Sequence, residues 1–304
     1  MTDVLDLVVA DRRQEAVGVV SLVLRAHDSR PLPVWEAGAH IDLGLRDGLE
    51  RQYSLCGGDT HSWRIAVLRE PGGRGGSEFV HMTLRPGTRV RARGPRNHFP
   101  LEAAPAYRFI AGGIGITPIL PMLEAASQTP WTLLYGGRSR DAMAFTEELT
   151  ARHPAGRVLL HEGILDLSSH LEDLRPGELV YACGPPALLE AVESLVPAES
   201  LRIERFTSHV SHEGADSAFE VELAQSRRMV RVSASESILT ALLAADVEVP
   251  YSCTEGICGT CETRLLAGDA DHRDNLLTPQ ERATGETLMI CVSRSLTPRL
   301  TLDL

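Results

Sequence analysis

Residues 251–261 read YSCTEGICGTC. Cys253, Cys258 and Cys261 fall within nine residues, with small residues between them, and Cys291 follows thirty residues later. Thiols this close serve a disulfide, a metal or redox chemistry. The amino-terminal stretch MTDVLDLVVADRRQ is acidic early and lacks a long apolar run, so it does not read as a secretory leader. No window holds the roughly 18 uninterrupted apolar residues of a membrane helix. The expectation is a cytoplasmic chain with no membrane association. Its thiols stay reduced, and clustered cysteines then mean metal or redox chemistry.

The spacing is C-x4-C-x2-C with a distant fourth cysteine, the pattern of plant-type [2Fe–2S] ligation. Four thiolates must converge on two irons. A tight loop of small residues lets three of them wrap the cluster while backbone N–H groups face the sulfurs. Gly256 and Gly259 suit such a loop, because glycine tolerates left-handed dihedrals and close approach. The fourth ligand, Cys291, comes from the strand-like LMICVSR. Structural zinc is the alternative. It takes two C-x2-C-type pairs or suitably spaced histidines; here the fourth cysteine stands alone.

A chain of 304 residues, 43% hydrophobic, can bury two or three cores. Its net charge of −11 argues against nucleic-acid binding. The first hundred residues alternate like strands in GVVSLVLRA, HIDLGL, RQYSLCG, WRIAVLRE and TRVRARG, as in an antiparallel β-barrel. Past Pro105 the texture becomes strand, helix, strand, helix: YRFIAGG, TPILPMLEAASQ, WTLLYGG, DAMAFTEELTARH, VLLHEG, LVYACG and PPALLEAVESL. That alternation predicts a parallel α/β sheet. TSHVSHEGADSA reads as a linker. FEVELAQSRRMVRVS reads as a hairpin, and SESILTALLAAD as a helix with Ser233 and Glu236 spaced as a capping box. The expected division is 1–103 barrel, 104–208 α/β domain, 209–218 linker and 219–304 α+β domain.

An iron–sulfur site takes one electron at a time and needs a source. RQYSL at 51–55 places an arginine, a tyrosine ring and a serine on one strand, suited to a phosphate and a planar cofactor. GGRGGSEFVH at 72–81 sets a glycine-rich loop before a helix start, where backbone N–H groups cradle phosphate. AGGIGITP at 111–118 and YACGPPALLEAV at 181–192 each run strand, glycine, helix, and bring backbone close to a ligand at the carboxyl ends of parallel strands. Pro185 or Pro186 suits the first helical turn. Neither is the G-x-G-x-x-G dinucleotide fingerprint. Each motif alone also fits an ordinary strand or loop.

Together, R-x-Y-S, then G-G-I-G-I-T-P, then Y-x-C-G-P resembles the ferredoxin–NADP reductase superfamily. With the carboxyl-terminal ferredoxin-like segment, all 304 residues resemble the phthalate dioxygenase reductase family, which includes vanillate demethylase reductases. The resemblance implies a multidomain fold: an antiparallel β-barrel for FMN, an α/β parallel sheet for NADH, and an α+β, β-grasp-like ferredoxin for a [2Fe–2S] cluster. Arg51, Gln52, Tyr53 and Ser54 match the flavin strand. Ala66 and Val67 match backbone contacts to the ring, and Gly75, Gly76 and Ser77 match the phosphate loop. The GRGGS loop matches FMN members better than FAD members. Phe206, in IERF, matches the aromatic near the flavin. Gly112, Gly113, Gly115 and Thr117 match the nicotinamide-side loop; Cys183, Gly184 and Pro185 match the motif beside the nicotinamide ring. Thr117 and Cys183 are the candidate catalytic residues, and Cys253, Cys258, Cys261 and Cys291 the metal ligands. Cys56 reads as structural. Arg138, Ser139 and Arg140, after the second parallel strand, leave NADPH open beside the favoured NADH. The arginine run at 85–99 reads as the solvated face of a strand.

The implied chemistry is an NADH-dependent reductase passing electrons through FMN and [2Fe–2S] to a separate terminal oxygenase, either a Rieske non-haem iron enzyme or a haem monooxygenase. Residues 219–304 carry 13 Asp and Glu against 8 Arg, an acidic exit face for a basic partner. No Ser-His-Asp set or carboxylate pair presents itself. The alternative is a non-catalytic redox-sensing flavin and iron–sulfur protein.

Overall fold

The structure is a computed structural model and describes residues 4–46, 48–154, 156–206 and 216–304. The chain divides into two compact units, Met1–Arg205 and Phe206–Leu304. The first opens on a closed antiparallel barrel: β1 (Leu5–Ala16), β2 (Val19–Ala26), β3 (Ala39–Arg46), β4 (Leu49–Asp59), β5 (Ser62–Leu68) and β6 (Arg89–Asn97), in the order β1-β2-β5-β4-β3-β6. Alternation drives it. In β6, Val90 and Ala92 point inward while Arg89 and Arg91 are exposed. Leu7, Leu22, Ile41, Leu43, Leu55, Trp63 and Ile65 fill the barrel without solvent exposure, each worth about 1.5–3 kcal/mol on burial. The outward arginines fit the solvated-face expectation; Arg93 and Arg96 pair with Glu50 and Asp42.

The barrel has one strand more than the sequence predicts. β1 escapes notice because its second half, DRRQEA, is polar. That half pairs with β2 alone, whereas Leu5–Val8 also pairs with β6. Helix α1 (Gly76–Thr83) lies between β5 and β6 in the chain.

The rest of this unit is a five-stranded parallel sheet in the order β11-β10-β7-β8-β9. Its elements are β7 (Tyr107–Gly112), α2 (Ile116–Ala125), β8 (Trp131–Gly137), α3 (Thr146–Arg152), β9 (Val158–Glu162), α4 (Leu167–Leu171), β10 (Leu179–Cys183), α5 (Pro186–Leu195) and β11 (Leu201–Glu204). Helix α2 packs on β4, joining sheet to barrel. A half-buried Arg64–Glu148 ion pair at 2.9 Å adds to that seam. Two helices differ from expectation. α3 starts at Thr146 rather than near Asp141, because Phe145 adopts a left-handed φ of 62°. α4 is too short to show periodicity; Asp166 caps it by accepting the Ser169 N–H.

The second unit holds β12 (Phe219–Leu223), β13 (Arg228–Val232), α6 (Ile238–Ala244), β14 (Glu262–Ala267), β15 (Ala270–Asp271), α7 (Pro279–Thr284), β16 (Thr287–Met289), β17 (Arg294–Ser295) and β18 (Arg299–Leu302). Its mixed sheet runs β13-β12-β18-β14-β16, with β12 and β18 parallel, and α6 packs on β13. The capping box expected at Ser233 and Glu236 is corrected. Glu236 does accept the Ser233 N–H, but inside a turn; Ser237 caps α6 by accepting the Thr240 N–H. The capping box belongs to α7, between Thr278 and Glu281. Cys291 lies in the turn after β16 rather than on the strand. Of the expected linker, residues 207–215 lie outside the described residues. Among the described residues no helix is long and apolar enough to cross a membrane.

Candidate cofactor sites

β4 and β5 pair only from Leu55–Ile65 to their connecting turn. Before that point Arg51–Ser54 pair with β3 alone, and Ala66–Leu68 with β2 alone. The two strands therefore splay and leave facing backbone edges open. Arg51, Gln52, Tyr53 and Ser54 lie along one edge, Ala66 and Val67 along the other. Gln52 donates to Asp42 Oδ1 at 2.9 Å, and Tyr53 leans on the barrel core. Burial pushes the Tyr53 hydroxyl well above its ordinary value, so it stays neutral.

Helix α1 starts beside this gap. Gly75, its N-cap, has φ 79°. A Cβ on Gly76 would stand 2.8 Å from Arg51 Cγ, and one on Gly75 would stand 3.3 Å from Arg46 Nη2. Two guanidinium side chains thus close around a glycine loop whose N–H groups open a helix, an arrangement fitted to a phosphate. Ser77 Oγ accepts the Glu70 N–H at 3.1 Å and holds the loop closed. His81 Nε2 donates to the Val67 carbonyl at 2.9 Å, tying α1 to the β5 edge.

The two glycine loops of the parallel sheet meet backbone to backbone. A Cβ on Gly115 would lie 2.3 Å from the Cys183 carbonyl oxygen and 2.7 Å from the Gly184 nitrogen. One on Gly112 would strike Pro185 Cδ at 2.6 Å. Gly113 instead has φ 54° and nothing within 4 Å of its Cβ position, an open spot at the carboxyl end of β7. Thr117 is buried, and its hydroxyl donates to the Ile114 carbonyl at 3.0 Å, bracing the loop. Cys183 is fully buried; burial, then the charge of Glu204, pushes its thiol well up, so it remains protonated. Cys56 is buried too, its thiol pushed up to about 12 by burial. Arg138, Ser139 and Arg140 are exposed beyond β8.

Glu204 was not singled out by sequence. It ends β11 in register with Cys183, and the Ser54 hydroxyl donates to its Oε2 at 3.5 Å. Burial raises its carboxyl to about 8, against which the Ser54 hydrogen bond acts weakly. Ser54, Cys183 and Glu204 thus meet where barrel and sheet join. IERF offers no signal for this, since the contact spans 150 residues of chain. Phe206 is 37% exposed at the start of the second unit.

In the second unit the four thiols lie near enough to influence one another. The Cys253 thiol feels those of Cys258 and Cys291, and the Cys261 thiol that of Cys291. The neighbouring thiols of Cys258, then Cys291, draw the Cys253 thiol down, and Cys253 in turn pushes Cys258 and Cys291 up. Four thiolates so close repel one another strongly unless cations lie among them. Backbone N–H groups also face the sulfurs: Glu255 to Cys253 Sγ at 3.3 Å and Thr260 to Cys258 Sγ at 3.4 Å. Thr254, Gly256 and Gly259 take left-handed φ of 59°, 69° and 70°, which wraps the loop. This donor set fits [2Fe–2S].

A family model described as 2Fe-2S iron-sulfur cluster binding domain matches residues 221–296, and one described as oxidoreductase NAD-binding domain matches 109–161. The chain is 45% identical over 295 residues to the phenoxybenzoate dioxygenase subunit beta of Ectopseudomonas oleovorans, covering 92% of this chain and 91% of that one. It is 36% identical over 316 residues to the phthalate dioxygenase reductase of Burkholderia cepacia, covering 99% and 97%. It also matches the solved structure of an intact type IV self-sufficient cytochrome P450 monooxygenase, with a TM-score of 0.92 and 39% identity over 99% of this chain. This chain spans 41% of that longer protein.

Proposed function

The chain belongs to the phthalate dioxygenase reductase family, and from that we propose that it is the NADH-dependent reductase component of an oxygenase system, donating electrons to a separate Rieske-type or haem oxygenase. When bound, NADH supplies a hydride, FMN divides the electron pair, and [2Fe–2S] passes single electrons on. The protein binds, orients and shields.

Arg51, Arg46 and the start of α1 hold the FMN phosphate. The gap between β4 and β5 takes the ring, with Tyr53 and Ser54 on one side and the backbone of Ala66 and Val67 on the other. The open Gly113 would admit the nicotinamide, and the close-packed Gly112, Gly115, Gly184 and Pro185 would hold the two loops that receive it. Cys183 stays a neutral thiol and excludes water. Glu204 keeps a proton near Ser54 Oγ at neutral pH. Thr117 braces its loop rather than reacting. Phe206 remains our candidate for the aromatic beside the flavin. Cys253, Cys258, Cys261 and Cys291 ligate the cluster.

We read the first unit as two domains divided near 103–104. Arg138 and Arg140 leave room for a 2′-phosphate, but NADH is the favoured donor. Cytoplasmic residence, which keeps the thiols reduced, belongs to the same reading.

The observation that carries it is the cysteine quartet, because a flavoprotein that only accepts hydride has no use for four converging thiols. Holoprotein loaded with flavin and cluster should reduce cytochrome c with NADH. Absence of that reduction would favour a redox sensor without turnover.

A further inference from the structure

Residues 272–277, HRDNLL, grip both halves of the cysteine quartet. The Asn275 N–H donates to the Gly256 carbonyl at 2.9 Å, inside the loop that carries three of the cysteines. The Arg273 N–H donates to Ser293 Oγ at 3.3 Å, two residues past Cys291. Gly256 is wedged between them: a Cβ there would lie 2.6 Å from Val292 Cγ2 and 3.0 Å from Asp274 Cα.

Asp274 is at the centre of this brace and is 0% exposed. Its Oδ2 accepts the N–H groups of Leu276 at 3.0 Å and Leu277 at 2.8 Å. Its main-chain carbonyl accepts Arg282 Nη2 at 2.6 Å, and that nitrogen also stands 3.8 Å from Oδ2. Among the described residues, no hydrogen-bond donor reaches the other carboxylate oxygen, Oδ1, which is buried. His272 Nδ1 faces it at 3.8 Å and is likewise buried without a partner. That distance is too long for a hydrogen bond. A buried polar atom left so is destabilising. A turn needing only an acceptor for two N–H groups has no reason to bury a charged one; an amide or hydroxyl would serve.

We propose that Asp274, with His272 facing it, is a positioning residue for the iron–sulfur site: it locks the three-cysteine loop to the Cys291 turn and sets negative charge behind that loop, lowering the site's reduction potential. This rests on the quartet being a [2Fe–2S] site. A carboxylate behind the loop opposes the addition of an electron, while the Arg282 guanidinium, 3.8 Å from Oδ2, acts the other way.

The test uses the full holoprotein and the variants Asp274→Asn and Asp274→Ser, both of which keep a turn acceptor and lose the charge. Glu220→Gln, an exposed carboxylate on β12 paired with Arg299, is the control. A redox titration should show the cluster of both Asp274 variants reduced more readily, by up to about tenfold in equilibrium (~59 mV for one electron). The control should match wild type, and all proteins should keep NADH-driven flavin reduction. Both Asp274 variants holding clusters at the wild-type potential would overturn the proposal. Loss of the cluster from one folded variant leaves the other to decide; loss from both, with flavin reduction intact, supports the positioning role. A purified wild-type chain unable to take up a [2Fe–2S] cluster would instead overturn the reading of the quartet.

Discussion

Glu204 shows how one side chain gains a role only in the folded chain. Partial burial at the junction of barrel and sheet raises its carboxyl from 4.5 to about 8, so the fold favours the protonated form. The stability this gives is fully present below pH 4.5 and is lost as pH rises through about 8. Glu204→Gln stays neutral throughout. In flavin-free protein it should therefore gain on wild type as pH rises from about 5 to about 9, measured by urea unfolding, and the difference should level off above that. Parallel stability profiles for the two proteins would refute the assignment. The cysteines, by contrast, stand out by spacing alone, because a cluster would impose a local pattern on sequence. Glu204 and Asp274 carry no such pattern. Each acquires its surroundings from strands and turns distant in the chain.

Elements follow the same division. The strand–glycine–helix units of the α/β sheet were readable because their periodicity and glycines act locally. β1 was not, because its polar half is held by one neighbour only. The start of α6 was displaced because Ser233 and Glu236 satisfy each other before the helix begins. Two glycines test the elements they sit in. Gly76→Ala should push Arg51 aside, raising the Kd for FMN several-fold in a fluorescence titration, while leaving the barrel folded; the contact is with a flexible side chain. Gly115→Ala meets backbone instead, at the Cys183 carbonyl. It should destabilise the first unit by about 1–3 kcal/mol and raise the KM for NADH, whereas a wild-type KM would show that the two glycine loops need not touch.

At the scale of the molecule, the chain places an open gap between β4 and β5, a parallel sheet with glycine loops and four clustered cysteines in one polypeptide, with the first two in one compact unit and the third in the other. The central claim is that electrons enter in the first and leave through the second. Cys258→Ser separates these steps, because Cys258 lies in the second unit. The decisive measurement mixes NADH anaerobically with wild-type and Cys258→Ser holoprotein and follows flavin bleaching, then adds cytochrome c. The account predicts unchanged flavin bleaching in the variant, loss of the cluster spectrum and little transfer to cytochrome c. Full transfer to cytochrome c without a cluster, or loss of bleaching while flavin stays bound, would contradict it.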